Sequence, residues 1–229
     1  MWKMLSYPVE DTGINWPGCP SYIHGNVVSL AGGNNCNTSL ITLFNHFGTH
    51  IDAPNHYNPN GPALNEVPFF ERFIYDHPFV LDLPKKAGEK ILPEDLEPYE
   101  KQLAECDLLC IRTGFWKIRD QHKDLYNHNG PAVSAAAAKY LMDHFCGQIK
   151  AIALDFLSLA SPSDTIDGDE AHRYMLGIHH NGYIMIIEDC NLGALPEVIE
   201  GGDIRRIYAI PLRFSGVDSG PVTVFAEMN

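Results

Sequence analysis

The chain is organised around residues 44–57, which read Phe44-Asn45-His46-Phe47-Gly48-Thr49-His50-Ile51-Asp52-Ala53-Pro54-Asn55-His56-Tyr57. Three histidines and one aspartate fall within eleven positions of this stretch. Imidazole and carboxylate groups are ligands that divalent cations such as zinc and manganese prefer. The stretch therefore predicts a metal site built from His46, His50 and Asp52, with His56 beside it.

The local spacing predicts how these side chains converge. His50 and Asp52 are two residues apart, so in an extended strand both side chains leave the same face. Gly48 allows the backbone to bend and bring in His46 as a third ligand. Residues 39–44 alternate polar and apolar side chains, which predicts a strand that runs into the motif. Pro54 ends that strand and leaves His56 on a loop.

His56 has two possible roles that the sequence leaves open. As an unliganded histidine beside a three-ligand metal with an open position, it would be a general base. As a fourth ligand, it would close the site and favour a metal-binding protein without catalysis. A third interpretation, that these are ordinary histidines near a strand end, fits one histidine better than three with an aspartate.

Composition limits the classes of function. The 229 residues, 45% hydrophobic and 20% charged, carry a net charge of −13, which argues against nucleic acid or an anionic membrane as partner. No window is long and apolar enough for a membrane span, and the N-terminus lacks a signal-peptide pattern. Six scattered cysteines are typical of reduced thiols. We expect a cytoplasmic protein with a single domain over residues 1–229, since no linker or repeat divides the chain.

The remaining pattern predicts an α/β protein. Apolar runs at 79–83, 107–113, 150–157 and 183–188 predict strands, and Ser134 begins a helix that runs to about Gly147. Strand, helix and strand over 107–157 predict a βαβ unit. Asp155 interrupts an apolar strand, so it is either hydrogen-bonded to a neighbouring loop or close to the metal site. Residues 206–214 and 216–226 predict two final strands.

A second candidate group lies late in the chain. Glu188 closes an apolar strand and needs a cation or a hydrogen-bond donor if it is buried. Residues 167–177 predict a short helix that carries His172, and the adjacent pair His179 and His180 lies between that helix and Glu188.

The motif of residues 46–56, His-x-Gly-Thr-His-x-Asp-x-Pro-x-His, resembles the signature of the cyclase family of metal-dependent hydrolases. That family includes bacterial kynurenine formamidase and isatin hydrolase. The stretch Trp16-Pro17-Gly18-Cys19-Pro20, the segment from His172 to Gly177 and the last two strands are also similar, so the resemblance runs from about residue 5 to 227. It implies the swivelling β/β/α fold, a mixed-sheet barrel flanked by helices, in a homodimer or higher homo-oligomer.

The resemblance also implies an activity. A member of this family would hold one or two divalent ions, Zn²⁺ or Mn²⁺, and hydrolyse a small amide or lactam with His56 as general base. His172 and Glu188 would complete the metal site, although their separation is longer than the family pattern, so His179 or His180 is an alternative to His172. Five aromatic side chains are candidate walls for a planar substrate: Phe44, Phe47, Tyr57, Trp16 and Tyr22.

Overall fold

The computed structural model describes residues 1–199 and 202–229. Its strands, numbered in chain order, are β1 (Trp2–Met4), β2 (Ile23–Val28), β3 (Thr38–Thr42), β4 (His50–Asp52), β5 (Ile74–Tyr75), β6 (Pro78–Asp82), β7 (Lys90–Ile91), β8 (Leu108–Arg112), β9 (Ala132–Val133), β10 (Ala151–Leu154), β11 (Met185–Glu188), β12 (Ile204–Pro211) and β13 (Ser219–Met228). The α-helices are α1 (Phe69–Arg72), α2 (Pro93–Leu96), α3 (Glu100–Glu105), α4 (Lys123–Asn129), α5 (Ala135–Phe145) and α6 (Thr165–Met175).

One mixed sheet forms the centre of the molecule. Its strand order is β5-β12-β13-β4-β11-β10-β8-β6, with β1 added to β13. The strands β6, β8, β10 and β11 are parallel to one another, whereas β4, β13, β12 and β5 join by antiparallel pairing. The end strand β6 contacts β12, so the eight strands make a nearly closed barrel. This confirms the predicted α/β fold with a mixed-sheet barrel and helices.

The predicted βαβ unit is β8, α5 and β10. Ser134 begins α5 by accepting a hydrogen bond from the backbone N–H of Ala137 at 3.1 Å, which satisfies a helix N–H that lacks an intrahelical partner. The strands β8 and β10 then pair in parallel. Asp155, after β10, accepts hydrogen bonds from Thr113 and Gly114, which confirms the interpretation that it is bonded to a neighbouring loop.

Side-chain alternation divides the core between the two faces of the sheet. In β10, Ile152 and Leu154 belong to one buried cluster, while Ala151 and Ala153 belong to the other. The short strand β4 follows the same rule, since Ile51 enters the second cluster. His50 and Asp52 therefore leave the opposite face.

The strand predicted over 39–44 forms as β3 (Thr38–Thr42), but the prediction that it continues into the motif is wrong. The strand β3 ends at Thr42 and pairs with β2 in a separate two-stranded hairpin whose residues are almost all exposed. The strand β4 already has neighbours on both sides, β11 and β13. Between β3 and β4 the chain turns through Gly48, whose φ of 63° lies in the left-handed region that favours glycine.

All six cysteines are unpaired, and Cys106, Cys110 and Cys190 are buried. In the parts of the chain that the structure describes, no helix has the length and apolar character needed to cross a membrane.

Candidate functional site

The barrel strands bring the first candidate ligands together. His50 and Asp52 share one face of β4, as their spacing predicts, and both are buried. The strand β11 pairs with β4 so that Glu188 lies opposite His50. His50 Nε2 lies 3.5 Å from Asp52 Oδ1 and 3.3 Å from Glu188 Oε2. Two carboxylates therefore lie around one imidazole nitrogen, Asp52 from the same strand and Glu188 from the antiparallel neighbour.

Two further histidines reach this group from outside the sheet. His46 lies in the turn before β4, with Nδ1 at 3.0 Å from Asp52 Oδ1. His172 lies on α6, with Nε2 at 3.6 Å from Glu188 Oε1 and 4.0 Å from Asp52 Oδ2. The five side chains His46, His50, Asp52, His172 and Glu188 thus form one group, which we call the ligand cluster.

Each histidine of the ligand cluster has its outer ring nitrogen held by an acceptor. His50 Nδ1 lies 2.8 Å from the carbonyl of Gly48, and His172 Nδ1 lies 2.8 Å from the carbonyl of Gly168. His46 Nε2 lies 2.9 Å from Asp218 Oδ2. Metal-bound histidines almost always donate their second N–H in this way, which fixes the ring and leaves the other nitrogen for the ion.

Three inward-facing atoms of the cluster have no hydrogen-bond partner among the described residues. Both carboxylate oxygens of Asp52 and the Nε2 atom of His50 are buried without an aligned hydrogen bond. Such groups are costly in a protein interior unless something binds them. The close approaches of 3.0 to 3.6 Å resemble the distances of about 3.3 Å between ligand atoms that share a tetrahedral ion at about 2.0 Å. The donor set therefore fits a divalent cation.

The charges of the ligand cluster compensate one another. Burial acts to lower the pKa of His46, but the charge of Asp52 and the hydrogen bond to Asp218 outweigh it and raise this pKa to about 10. Burial likewise opposes charge on His50 and His172, and Glu188 raises the pKa of each. Burial acts to raise the pKa of Asp52, yet the nearby histidines lower it. Protons on the histidines thus balance the carboxylates.

His56 lies in a short 3₁₀ helix, Pro54–His56, next to the cluster. Its Nδ1 atom is 2.8 Å from Asp218 Oδ2, and its ring centroid is 4.2 Å from that of His46. Asp218 itself is fixed by the side-chain amide of Asn45 at 2.7 Å. An Nδ1–H bonded to this carboxylate leaves Nε2 of His56 as a proton acceptor.

The ligand atoms fall into two overlapping groups. His46, Asp52 and His56 can each offer one atom within 4.8 Å of the others, and so can His50, Asp52 and Glu188. Asp52 belongs to both groups. The geometry is therefore compatible with one or two ions, and it keeps both interpretations of His56 open.

A cavity of about 420 Å³ leads to the cluster. Among the predicted aromatic walls, Trp16, Phe44 and Tyr57 line it, whereas Phe47 and Tyr22 do not. Phe47 is instead buried beside Tyr22. The Tyr57 ring stacks on His172 at 4.7 Å, and its hydroxyl donates to Asp169 at 2.6 Å.

The longer loop after α6 does not bring its histidine pair to the site. His179 is exposed and pairs with Glu170, and His180 accepts a hydrogen bond from the backbone of Gly182. His172 is the histidine of this region that lies beside Glu188.

Sequence reasoning missed two partners of the cluster. Asp218 lies in the turn-rich loop before β13, and only the pairing of β13 with β4 brings it beside His46 and His56. Ser158 donates to Glu188 Oε1 at 2.9 Å from the loop after β10. The one feature of the sequence that could have indicated a role for Asp218 is its acidic side chain in a turn of small residues.

The chain belongs to the cyclase family, since the family model described as "Putative cyclase" matches residues 4–161. The matched segment contains the motif from His46 to His56, and His172, Glu188 and Asp218 lie beyond it.

Named relatives agree with this family. A kynurenine formamidase of Bacillus thuringiensis subsp. konkukian is 27% identical over 225 residues, which cover 96% of this chain and 94% of that protein. Isatin hydrolase A from Labrenzia aggregata, solved with benzyl benzoate, has a TM-score of 0.79 at 18% identity and covers 99% and 93% of the two chains. A structure described as a predicted metal-dependent hydrolase from Bacillus stearothermophilus has a TM-score of 0.70 at 22% identity over 99% and 97%. The structural likeness confirms the fold.

Proposed function

We propose that the protein is a metal-dependent hydrolase of a small amide or cyclic amide. The observation that carries this proposal is a buried cluster of three histidines and two carboxylates, with unpartnered inward atoms, at the base of a cavity with aromatic walls. Membership of the cyclase family supports it.

In this proposal His46, His50, Asp52, His172 and Glu188 hold one or two ions, Zn²⁺ or Mn²⁺. A divalent cation bound there would polarise the substrate carbonyl and lower the pKa of a coordinated water to about 7. Ser158 and the backbone N–H of Leu159, at 2.9 and 2.7 Å, hold Glu188 Oε1 in place, so its carboxylate is oriented before an ion arrives.

His56 is the general base of the proposed reaction. Its ring lines the cavity, and Asp218 fixes its Nδ1 atom, so Nε2 is the nitrogen that accepts a proton from the attacking water. The same nitrogen then returns the proton to the departing amine or to the opened ring nitrogen. His56 thus acts as the base, and Asp218 is the carboxylate that orients it.

The cavity supports a planar aromatic substrate. Trp16 and Phe44 line the cavity, and Tyr57, which also lines it, is held in place by His172 and Asp169. Kynurenine formamidase and isatin hydrolase are the named relatives, so aryl formamides and isatin-like lactams are the substrates to test first.

The second candidate function is a metal-binding protein without catalysis. One observation favours it: His56 offers a ligand atom to the same group as His46 and Asp52. In that case His56 would occupy the remaining position of the ion. The metal content of a His56→Ala variant distinguishes the two functions, because a fourth ligand affects metal retention and a base does not.

The proposal is tested by loading the purified protein with Zn²⁺ or Mn²⁺ and assaying it with N-formylaniline derivatives, isatin and cyclic imides. Hydrolysis that depends on added metal and is lost in His56→Ala supports it. Full metal loading without turnover of any compound in this set would favour the non-catalytic alternative.

We also propose a homodimer or higher homo-oligomer. The β2–β3 hairpin exposes five apolar side chains, a feature of surfaces that pair with other molecules: Ile23, Val27, Leu30, Leu40 and Ile41. Light scattering coupled to size-exclusion chromatography measures the state, and a mass of about 25.5 kDa would contradict the proposal.

A further inference from the structure

Asp189, the residue after Glu188, has an unusual backbone conformation. Its φ of 51° makes it the one non-glycine residue with positive φ in the described part of the chain. A residue with a Cβ atom is strained in this region and keeps such a conformation only when its surroundings hold it there. Asp189 is also buried, at 1% exposure.

A buried guanidinium holds the Asp189 side chain. Arg119 Nε donates to Asp189 Oδ1 at 2.7 Å, and Nη2 donates to Oδ2 at 2.6 Å. The hydroxyl of Tyr126 adds a third hydrogen bond to Oδ1 at 2.7 Å. The guanidinium itself stacks on the Tyr7 ring at 3.7 Å. A bidentate pair of this kind fixes orientation as well as distance.

The backbone of Asp189 is tied to the other side of the site. Thr49 donates from Oγ1 to the carbonyl of Asp189 at 2.6 Å and accepts from the N–H of Tyr7 at 3.0 Å. Thr49 immediately precedes His50, and Asp189 immediately follows Glu188. His50 and Glu188 face each other across β4 and β11. The set Arg119, Tyr126, Asp189 and Thr49, which we call the clamp, therefore joins the two chain segments that present these candidate ligands.

We propose that the clamp is a positioning device for the metal centre, which sets the orientation of the Glu188 carboxylate and the His50 ring. This inference rests on the proposed function, because it takes these two residues as ligands. None of the four clamp residues lines the cavity, so they act through the ligands and not on the substrate.

The clamp can position Glu188 because it fixes the strained backbone of the next residue, Asp189. The backbone angles of Asp189 set the direction in which the chain leaves Glu188, and a rotation there displaces the preceding strand end. Metal sites require ligand atoms within about 0.5 Å of their working positions. Loss of a residue that orients a ligand typically lowers metal affinity by about 10- to 100-fold.

Two variants test the clamp. Arg119→Lys keeps the charge but loses the bidentate fork, and Tyr126→Phe removes one hydroxyl without changing the packing. The matched control is Arg112→Lys. Arg112 is another buried arginine, bound through Nε and Nη2 to Asp82 at 2.5 and 2.7 Å and to the carbonyls of Pro196 and Glu197. None of these described partners belongs to the ligand cluster or to the clamp.

The measurement is Co²⁺ affinity by competition with a chelator, with the visible absorption of bound Co²⁺ as a report on ligand geometry. Thermal unfolding of the metal-free proteins is recorded alongside. We expect Arg119→Lys to weaken Co²⁺ binding by about 10- to 100-fold and to change the absorption bands. Tyr126→Phe should produce a smaller change in Co²⁺ affinity and in the absorption bands, in the same direction. Arg112→Lys should lower thermal stability while its Co²⁺ affinity and absorption bands stay at wild-type values.

Folded Arg119→Lys and Tyr126→Phe proteins that bind Co²⁺ with wild-type affinity and spectrum would overturn the clamp and leave the proposed function intact. Equal effects from Arg112→Lys would also overturn it, since the loss would then reflect general stability. If Arg119→Lys does not fold, Tyr126→Phe decides. A wild-type protein that binds no ion would overturn the proposed function together with the clamp.

Discussion

In the proposed reaction, His56 and Asp218 are the residues on which the proton transfer depends most directly. The His56→Ala variant should keep its metal and fold but lose about 10² to 10⁴ in kcat, with little change in KM, because a positioned base contributes about that factor. Steady-state kinetics and elemental analysis of the same preparation measure both quantities. Asp218→Asn is the companion variant. Its kcat should fall by less than that of His56→Ala, because the substitution disturbs only the orientation of the His56 ring. A His56→Ala protein isolated without metal would make His56 a ligand.

His172 and His180 provide a matched pair for the second half of the site. His172 Nε2 points at Glu188 and Asp52, whereas His180 bonds to the backbone of Gly182. His172→Ala should therefore lower metal content or affinity, and His180→Ala should retain both at wild-type values. Titration of the metal-free proteins with Zn²⁺ measures the difference. Loss of metal in His180→Ala alone would contradict the assignment of His172.

At the scale of elements, the helix α6 approaches the loop after β10 most tightly at Gly168. A Cβ atom on Gly168 would lie 2.2 Å from the Cβ atom and 2.9 Å from the Cα atom of Ala160, so a side chain there must push the helix away from the loop. Gly168 also offers its carbonyl to His172. We expect Gly168→Ala to destabilise the protein by about 1–3 kcal/mol and to weaken metal binding.

The control for this prediction is Gly147→Ala, since a Cβ atom on Gly147 meets nothing within 4 Å. Its stability should stay within about 0.5 kcal/mol of the wild type, with unchanged metal binding. Denaturant unfolding and metal titration compare the two variants. Equal behaviour of Gly168→Ala and Gly147→Ala would show that the packing of α6 does not set the position of His172.

The elements also show which features a sequence can predict. The two-residue spacing of His50 and Asp52 fixes their common face wherever a strand forms, and Ser134 fixes a helix start through local hydrogen bonds. The strand β3 does not continue into the motif because strand pairing depends on residues far apart in the sequence. Both edges of β4 are paired, with β11 and β13. Asp218 was missed for the same reason, since 162 positions separate it from His56.

At the scale of the whole molecule, the net charge of −13 favours the approach of a cation, and the protons on the cluster histidines oppose its binding. Asp52 and Asp218 raise the pKa of His46 to about 10 against the effect of burial, so this ring carries a proton at neutral pH in the metal-free protein. An ion must displace that proton, so metal affinity should rise as the pH increases from 6 to 8. We expect the binding of each ion to release at least about one proton.

Calorimetry of metal binding at pH 7 in two buffers with different ionisation enthalpies counts the released protons. Glu10 and Asp11, on the exposed N-terminal segment, offer a control for long-range electrostatic effects, because replacing them with Gln and Asn makes the net charge of −13 less negative while leaving the cluster residues unchanged. Affinity that is independent of pH, with no proton release, would contradict the charge-balanced description of the metal-free site.

The proposed metal site depends most on Asp52, the carboxylate that both groups of ligand atoms share. Elemental analysis of the purified wild type, Asp52→Ala and Asp169→Asn tests it. Asp169 lines the same cavity but contacts Tyr57 and not the cluster, so it serves as the matched control. We predict about one or two ions per chain in the wild type and in Asp169→Asn, and little or none in a folded Asp52→Ala protein. Equal metal content in the wild type and Asp52→Ala would show that Asp52 is not a metal ligand.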